Sequence, residues 1–329
     1  MSILAGDIGG TKTHLAFFEQ NTKGFVIVAE KKYPSHEHGS LEEIVVLFLQ
    51  EHAVIAEKAC FGIAGAVKHG VCHATNLPWE IEVESLAKAC QVGKEKVAII
   101  NDLESNAWGI KALDEKDFKV LNQGVPEKKG NQALISAGTG LGEAGIIFMQ
   151  GKLYPFASEG GHADFAPRNA QEDSLLKYLR KKWNHVSYER VLSGPGIANV
   201  HAFLVEDQKM DEEAQVLSEM KEQDAAFVIS KWALEKKSDV CVKALEIFSS
   251  IYASAAGNLA LKMMATGGLF IGGGIAPKIL PFLNRSQFLD AFKDKGRFEA
   301  MLKDVPIKVI LKEETALLGA MVFARDMLD

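Results

Sequence analysis

Two short glycine-rich stretches of the chain carry residues suited to binding phosphate. The first reads Asp7-Ile-Gly9-Gly10-Thr11-Lys12-Thr13, and the second reads Ala137-Gly138-Thr139-Gly140-Leu-Gly142. Paired glycines let bare backbone N–H groups approach an anion, and the threonine hydroxyls and the lysine ammonium add further donors. An apolar run precedes and follows each stretch. The sequence therefore predicts two hairpins, each a strand, a phosphate-binding turn and a returning strand.

Neither hairpin fits the commoner nucleotide-binding motifs. The pattern Gly-x4-Gly-Lys-[Ser/Thr] does not occur, and the residues after Lys12 are strand-like rather than helical. The run Gly140-Leu-Gly142-Glu-Ala-Gly145 matches Gly-x-Gly-x-x-Gly, but it leads to Gly151 through apolar residues typical of a strand, where a dinucleotide site needs a helix. A plain hairpin turn remains the alternative for the first stretch. The repeated plan at residues 133–148 indicates an internally duplicated chain.

Carboxylates, an amide and a histidine provide candidates for a polar ligand. Asn101 and Asp102 end a predicted buried strand and open a helix, at the edge where open α/β sheets bind ligands. An aspartate at that point could also serve only as the helix N-cap. Glu159 and His162 share a glycine-rich loop, and Glu189 precedes a Gly-Pro-Gly turn. Such groups suit hydrogen bonding to hydroxyls, with a solvated loop as the alternative for the histidine.

Composition narrows the class of protein. The chain has 329 residues, enough for two domains or one large one, and its net charge of −6 gives no footprint for nucleic acid. Nothing resembles a signal peptide, and no uninterrupted apolar run approaches the ~18 residues of a membrane span. We therefore expect a cytoplasmic protein without a membrane partner. The four cysteines lack a Cys-x-x-Cys pair, which predicts buried free thiols rather than a zinc site.

Strands and helices are predicted to alternate along the chain. Over the first hundred residues the order is β-β-β-α-β-α-β, and a capping box at Ser40 and Glu43 begins a helix over 41–52. Residues 114–132 are polar and predict a linker or an exposed excursion. Residues 206–224 are strongly acidic and predict a solvated helical face rather than a metal site, because no metal-ligand spacing is evident.

The last third of the chain predicts one more ligand-binding turn. A long helix over 242–264 precedes a strand that runs into Gly272-Gly273-Gly274. Backbone without side chains at the end of a strand makes room for a flat ring or a phosphate. A helix over 313–328 is expected to return and pack on the first domain.

The motifs together resemble the bacterial glucokinase family of the hexokinase and actin-like ATPase superfamily, over nearly the whole chain. The matching motifs are Asp7-Ile-Gly-Gly-Thr-Lys12, Ile100-Asn-Asp102, Ala137-Gly-Thr-Gly-Leu-Gly142, Ser158-Glu-Gly-Gly-His162, Glu189-Arg-Val-Leu-Ser-Gly194 and Gly272-Gly-Gly-Ile275. The resemblance implies an α/β fold with two RNase H-like, actin/hexokinase-type domains, mixed β-sheets flanked by helices, and an interdomain cleft. It implies a small domain of residues 1–110 plus 312–329 and a large domain of residues 111–311.

The resemblance also implies roles, carried over residue by residue. The residues implied to bind glucose hydroxyls are Asn101, Asp102, Glu159, His162 and Glu189, with Asn76 at the border of the sugar and Asp102 as the catalytic base. Those implied to hold ATP are Gly9, Gly10, Thr11, Lys12, Gly138, Thr139 and Gly140 for its phosphates and Gly272, Gly273 and Gly274 for its adenosine. Asp7 would position Mg²⁺ through water. The implied reaction is phosphorylation of D-glucose at its 6-hydroxyl, the first step of glycolysis, by a homodimer.

Departures and alternatives accompany the resemblance. Ala66 stands where relatives usually carry proline. The main chain forms the wall of the site at this point, so we expect the wall to be retained with alanine. The zinc cluster of the related repressor and kinase family is absent, and no room for a helix-turn-helix precedes Ile3, which argues against a sugar-responsive repressor. The alternatives are a kinase for another hexose, such as mannose or N-acetylmannosamine, and a non-catalytic nucleotide or sugar sensor.

Overall fold

A computed structural model describes residues 1–22, 24–75 and 77–328. The chain divides into two compact units. One contains Met1–Asp117, Pro155–Ala157 and Lys312–Asp329, and the other contains Phe118–Tyr154 and Ser158–Leu311. Both are built on mixed sheets with helices, so the predicted α/β class is confirmed.

The first sheet carries the first hairpin. The strands up to residue 101 are β1 (Ser2–Ile8), β2 (Lys12–Asn21), β3 (Gly24–Pro34), β4 (Lys58–Ile63), β5 (Val67–Lys68), β6 (Val71–His73), β7 (Glu80–Glu82) and β8 (Val97–Asn101). Antiparallel pairing joins β1 to β2 and β2 to β3, and β4 and β8 extend the sheet in parallel, which gives the order β3-β2-β1-β4-β8. The short strands β5, β6 and β7 form a separate antiparallel sheet.

Three helices accompany these strands. They are α1 (Leu41–His52), α2 (Val83–Cys90) and α3 (Asp102–Gly109). Ser40 Oγ accepts the N–H of Glu43 at 3.3 Å, as the capping box predicts. The Glu43 carboxylate, however, accepts the N–H of Gly39 at 2.9 Å, one residue earlier than the predicted partner. The first turn of α1 is therefore capped in both directions.

The second sheet repeats the plan of the first. Its strands are β9 (Phe118–Asn122), β10 (Gln132–Ala137), β11 (Leu141–Met149), β12 (Lys152–Ser158), β13 (Gly268–Gly272) and β14 (Ile307–Ile310), in the order β12-β11-β10-β13-β14-β9. The pair β10–β11 is antiparallel, and β13 and β14 continue in parallel, just as β4 and β8 follow β1. The predicted internal duplication is confirmed.

Strand β9 corrects the sequence analysis. Its residues pair with β14 in antiparallel fashion, whereas 114–132 were expected to be a linker or an exposed excursion. An edge strand has a neighbour on one side only, and the side chains of β9 are half-buried or exposed. The strand is only five residues long, Phe-Lys-Val-Leu-Asn, and lies within a polar stretch, so it is too short to give a clear periodic signal.

The second unit contains most of the helices. They are α4 (Ala170–Leu179), α5 (Gly194–Glu206), α6 (Ala214–Glu222), α7 (Ala225–Leu234), α8 (Asp239–Met263), α9 (Leu280–Leu283), α10 (Ser286–Lys293) and α11 (Glu299–Asp304). Of the acidic stretch, only α6 and the end of α5 are helical. Helix α8 is the one described helix long and apolar enough to cross a membrane by length and composition, but 78% of its apolar window is buried inside the protein. It is a core helix, and its Cys241, like the other three cysteines, is a buried free thiol.

The last helix, α12 (Thr315–Met327), belongs to the first unit. It packs closely on α3, where Ser105 Oγ donates to Ala316 O at 2.7 Å. A side chain on Gly319 would come within 1.6 Å of Ser105 O, so only glycine allows this approach. The packing of α12 thereby fixes the position of α3, the helix that begins at Asp102.

Candidate active site

The turn of the first hairpin is fixed by its own backbone and by one buried serine. Gly9 N–H donates to Lys12 O at 3.0 Å and closes the turn between β1 and β2. Ser35, just past β3, donates from Oγ to Gly9 O at 2.8 Å and from its N–H to Thr11 O at 3.1 Å. Thr11 and Lys12 are exposed and Gly10 is half-buried. The turn is thus rigid and reachable, as an anion site requires.

Asp7 lies in β1, two residues before the turn. Burial, and secondarily the negative charge of Asp102, raise the pKa of its carboxyl to about 6, against an opposing effect of the Lys12 ammonium. Two carboxylates that repel each other in a poorly solvated place form a donor set for a hard divalent cation, because Mg²⁺ prefers carboxylate and water oxygens. The residues present therefore fit Mg²⁺.

Asn101, and not Asp102, is the N-cap of α3. Asn101 Oδ1 accepts hydrogen bonds from Leu103 N at 2.9 Å and from Glu104 N at 3.3 Å, and its Nδ2 donates to Gly65 O at 3.1 Å. Asp102 is the first residue of the helix itself, and its Oδ1 accepts from Leu103 N at 2.8 Å. The alternative in which Asp102 serves only as the cap is wrong, because the preceding asparagine fills that position.

The second hairpin joins β10 to β11 through Gly138, Thr139 and Gly140. Gly138 N–H donates to Gly140 O at 2.8 Å, and Gly138 O accepts from Gly194 N at 2.8 Å. Gly194 begins α5, so the positive end of that helix dipole faces the turn. A side chain on Gly138 would meet no atom within 4 Å, which leaves open space beside it. The turn combines a positive backbone field with room for a ligand.

Gly272, Gly273 and Gly274, at the carboxyl end of β13, lie against the base of this hairpin. Gly273 has φ of +82°, and a side chain there would come within 2.2 Å of Ala137 O. Ile275 N–H also donates to Ala137 O at 3.3 Å. Because β10 and β13 are parallel neighbours, the sheet brings together segments 138–140 and 272–274, which were predicted separately to bind nucleotide.

The loop that carries Glu159 and His162 packs onto the start of β11. Its two glycines leave no space for side chains: a Cβ on Gly160 would lie 2.0 Å from a side-chain oxygen of β11, and one on Gly161 would lie 1.9 Å from Leu141 O. The side chains of Glu159 and His162 are both more than half exposed and stand 3.9 Å apart. The loop offers a carboxylate and an imidazole next to the second hairpin.

Glu189 is held by the same hairpin. Its Oε2 accepts a hydrogen bond from Leu141 N at 3.0 Å, and a side chain on Gly140 would come within 2.5 Å of that oxygen. Ser193, the N-cap of α5, donates from Oγ to Glu189 O at 2.7 Å and accepts from Gly196 N at 3.0 Å. The second unit therefore gathers its three predicted sugar-binding side chains around the second hairpin.

Sequence reasoning assigned no role to two buried polar residues at these hairpins, Ser35 and Glu143. The local signal for Ser35 is a hydroxyl directly after the proline that ends β3. Glu143 is 5% exposed, lies under the loop of residues 159–162, and has a pKa raised by burial. A carboxylate within an apolar strand, straight after Gly-Leu-Gly, is the signal that marks it.

Asn76, expected to border the sugar, lies outside the described residues. The first unit holds Asp7, Gly9, Gly10, Thr11, Lys12, Asn101 and Asp102. The second unit holds Gly138, Thr139, Gly140, Glu159, His162, Glu189, Gly272, Gly273 and Gly274. Their roles in binding and catalysis stay predictions.

Comparison with known proteins points to the family that the motifs resemble. A family model described as glucokinase matches residues 4–327. A glucokinase from Synechocystis sp. is 39% identical, with 98% of each chain covered, and one from Nostoc punctiforme is 41% identical, with 97% of each chain covered. The crystal structure of a glucokinase from an Antarctic psychrotroph is 32% identical, covers 99% of both chains and has a TM-score of 0.86. The predicted resemblance is confirmed.

Proposed function

The chain belongs to the glucokinase family, and we propose that it transfers the γ-phosphoryl group of ATP to the 6-hydroxyl of D-glucose, the first step of glycolysis, with Asp102 as the general base. The observation that carries the proposal for Asp102 is its place at the carboxyl end of β8. The neighbouring Asn101 already caps α3, so capping does not account for an aspartate at this position.

The nucleotide is assigned to the two hairpins and the three glycines. We propose that residues 9–12 and 138–140 bind the phosphates and that residues 272–274 border the adenosine. Phosphoryl transfer depends on positioning and charge neutralisation more than on covalent chemistry, which rigid turns rich in N–H groups can provide. Asp7 would hold Mg²⁺ through water, and the ion would supply positive charge to the phosphates.

The sugar is assigned to Asn101, Glu159, His162 and Glu189. One N–H of the Asn101 amide bonds to Gly65 O, which leaves the second for a hydroxyl. The carboxylates accept hydrogen bonds from hydroxyls, and the imidazole can accept from one hydroxyl and donate to another. Such a site discriminates against analogues that leave its polar groups unpaired.

The proposed phosphoryl transfer requires one general base, Asp102. The 6-hydroxyl oxygen forms a bond to the γ-phosphorus, and its proton passes to the Asp102 carboxylate. The bond from the γ-phosphorus to the bridging oxygen breaks, and ADP leaves with that electron pair. Asp102 then releases its proton to solvent.

A panel of sugars tests the proposal. ADP release is measured with glucose, mannose, N-acetylmannosamine and no sugar, and phosphorus NMR locates the phosphate on the product. We expect glucose to have the highest kcat/KM and to yield the 6-phosphate, with activity that requires Mg²⁺ or Mn²⁺. A higher kcat/KM for another hexose would replace glucose as the substrate, and no ADP with any sugar would favour the sensor.

Assembly and location are separate parts of the proposal. We propose a cytoplasmic homodimer, on the basis of the resemblance. Light scattering coupled to size exclusion measures the mass directly. A mass near the 35.9 kDa of one chain would contradict the dimer.

A further inference from the structure

A second polar cluster lies in the second unit, among residues given no role above. His201 on α5, Glu212 between α5 and α6, and Cys241 in the first turn of α8 place a nitrogen, an oxygen and a sulfur atom within 4.8 Å of one another. The side chains of His201 and Glu212 are 3% and 1% exposed, and Cys241 is fully buried. Among the described residues, this is the one group of three such side chains close enough to share a metal ion.

The two oxygens of Glu212 have different partners. Oε1 accepts hydrogen bonds from Ser238 Oγ at 2.6 Å and from Glu213 N at 2.8 Å. Oε2 lies 2.5 Å from His201 Nε2 and 3.3 Å from Cys241 Sγ. Ser238 and Glu213 thus orient the carboxylate and leave its other oxygen to the nitrogen and the sulfur. Outer contacts orient metal-ligating carboxylates in the same way.

We propose that His201 Nε2, Glu212 Oε2 and Cys241 Sγ provide three ligands of a Zn²⁺ ion, with a water molecule in the fourth position. Zinc bonds to nitrogen and oxygen at about 2.0–2.2 Å and to sulfur at about 2.3 Å, which sets tetrahedral ligands about 3.3–3.6 Å apart. The oxygen–sulfur distance is 3.3 Å, about 0.3 Å shorter than the ~3.6 Å between tetrahedral oxygen and sulfur ligands. The nitrogen–oxygen distance of 2.5 Å must widen by about 0.8 Å, which small side-chain rotations provide.

Zinc would replace hydrogen bonds with coordinate bonds at the same atoms. The ion takes the place of the protons between Glu212 and its two partners, and the thiol proton and any proton on His201 Nε2 pass to solvent. Cys241 is the third residue past the N-cap Ser238 of the 25-residue helix α8. The positive end of that helix dipole favours the thiolate that zinc requires.

The proposed site also assigns a purpose to the beginning of the acidic stretch. Its three ligands come from α5, from the segment before α6 and from α8. A metal ion there would tie the segment at Glu212 to two core helices. It would act on stability rather than on phosphoryl transfer.

Cobalt is the spectroscopic probe, because thiolate-bound Co²⁺ absorbs in the near ultraviolet by charge transfer whereas Zn²⁺ does not. The full chain is stripped with a chelator, dialysed and titrated with Co²⁺. We expect saturation at one ion per chain, an intense charge-transfer band, and displacement of Co²⁺ by Zn²⁺. The Cys241→Ser variant should lose the band. The matched Cys90→Ser variant, which alters a buried thiol in α2, should keep it.

Stability gives the second readout. Zinc should raise the Tm of the wild-type protein and of Cys90→Ser, and should leave the Tm of His201→Asn unchanged. Ser238→Ala keeps all three ligands but loses the contact that orients Glu212, so its zinc affinity should fall by about 10–100-fold.

Wild-type protein that binds no stoichiometric Co²⁺ or Zn²⁺ would overturn the proposal. So would a cobalt band that persists in Cys241→Ser. The wild-type titration decides the matter even where a variant fails to fold.

Discussion

The two hairpins occupy equivalent places in a repeated sheet, yet they carry different chemistry. Asp7 pairs with His14 one step below the first turn, and Ser136 pairs with Gly142 one step below the second. The first hairpin therefore has a half-buried carboxylate close to the Lys12 ammonium. The second has an uncharged hydroxyl at the matching position.

The second hairpin obtains its carboxylate from elsewhere. Leu141 N–H binds Glu189 Oε2 at 3.0 Å, and Gly138 O is tied to the start of α5. The repeated backbone supplies a rigid turn twice, and the side chains around it decide the use of each. We infer that the first hairpin serves the metal and the reacting phosphate, whereas the second joins phosphate binding to sugar binding.

The largest expected effect is that of Asp102→Asn in the first unit. The variant keeps the Asn101 cap but removes the group that accepts the proton, so turnover should fall by ~10²–10⁴-fold. Thermal melting and glucose affinity, within about tenfold, should stay close to wild type. Steady-state kinetics and isothermal titration measure both. Turnover above a tenth of wild type would deprive the proposed reaction of its base.

Asp7→Asn tests how the Asp7 charge, which the second hairpin lacks at the matching position, affects the free energy of unfolding. A carboxyl whose pKa rises from 3.8 to about 6 on folding binds its proton more tightly in the folded state, so its ionisation lowers the free energy of unfolding as pH rises through that interval. The penalty amounts to about 3 kcal/mol above the folded pKa, at about 1.4 kcal/mol per pKa unit. Asparagine removes it.

The measurement is urea unfolding of Asp7→Asn and of wild type at two pH values. The variant should be more stable near pH 8, and the difference should shrink to below about 1 kcal/mol near pH 4. Its requirement for Mg²⁺ in the kinase assay should rise. Ser136→Ala, at the matching position of the second hairpin, should show no such pH dependence. A stability difference independent of pH would contradict the assignment of the shift to Asp7.

Gly140→Ala tests the link between the second hairpin and the sugar. Its methyl group would come within 2.5 Å of Glu189 Oε2 and displace that carboxylate. Loss of one hydrogen bond to a charged group, about 1.5 kcal/mol, predicts a rise in glucose KM of about tenfold. Gly138→Ala meets open space, so its effect should fall on ATP KM and not on glucose KM. Equal glucose KM values for the two variants would break the proposed link.

The smallest effects compare two helix caps. Ser193→Ala and Ser40→Ala each remove an N-cap hydroxyl and should each lower the free energy of unfolding by about 1 kcal/mol. Ser193 also donates to Glu189 O at 2.7 Å, whereas Ser40 caps α1 in the first unit. Only Ser193→Ala should therefore raise glucose KM as well. A similar rise in Ser40→Ala would show that the kinetic effect follows from stability alone.

The sequence alone determined the elements whose signals are local. Glycine spacing between apolar runs predicts both hairpins, and their repetition predicts the duplicated sheet, because turn conformation and strand alternation depend on neighbouring residues. The capping box at Ser40 and the strand before residues 272–274 are local signals of the same kind. Six motifs in one order were enough to indicate the family.

Only the tertiary structure decided which partners these residues have. It tied the Asn101 amide to Gly65, placed Ser35 against the first turn and paired β9 with β14, contacts that join distant parts of the chain. It also brought His201, Glu212 and Cys241 together, although their spacing resembles no metal motif. Burial and the distance between charges set the pKa of Asp7, and both arise from long-range packing, which no short stretch of sequence encodes.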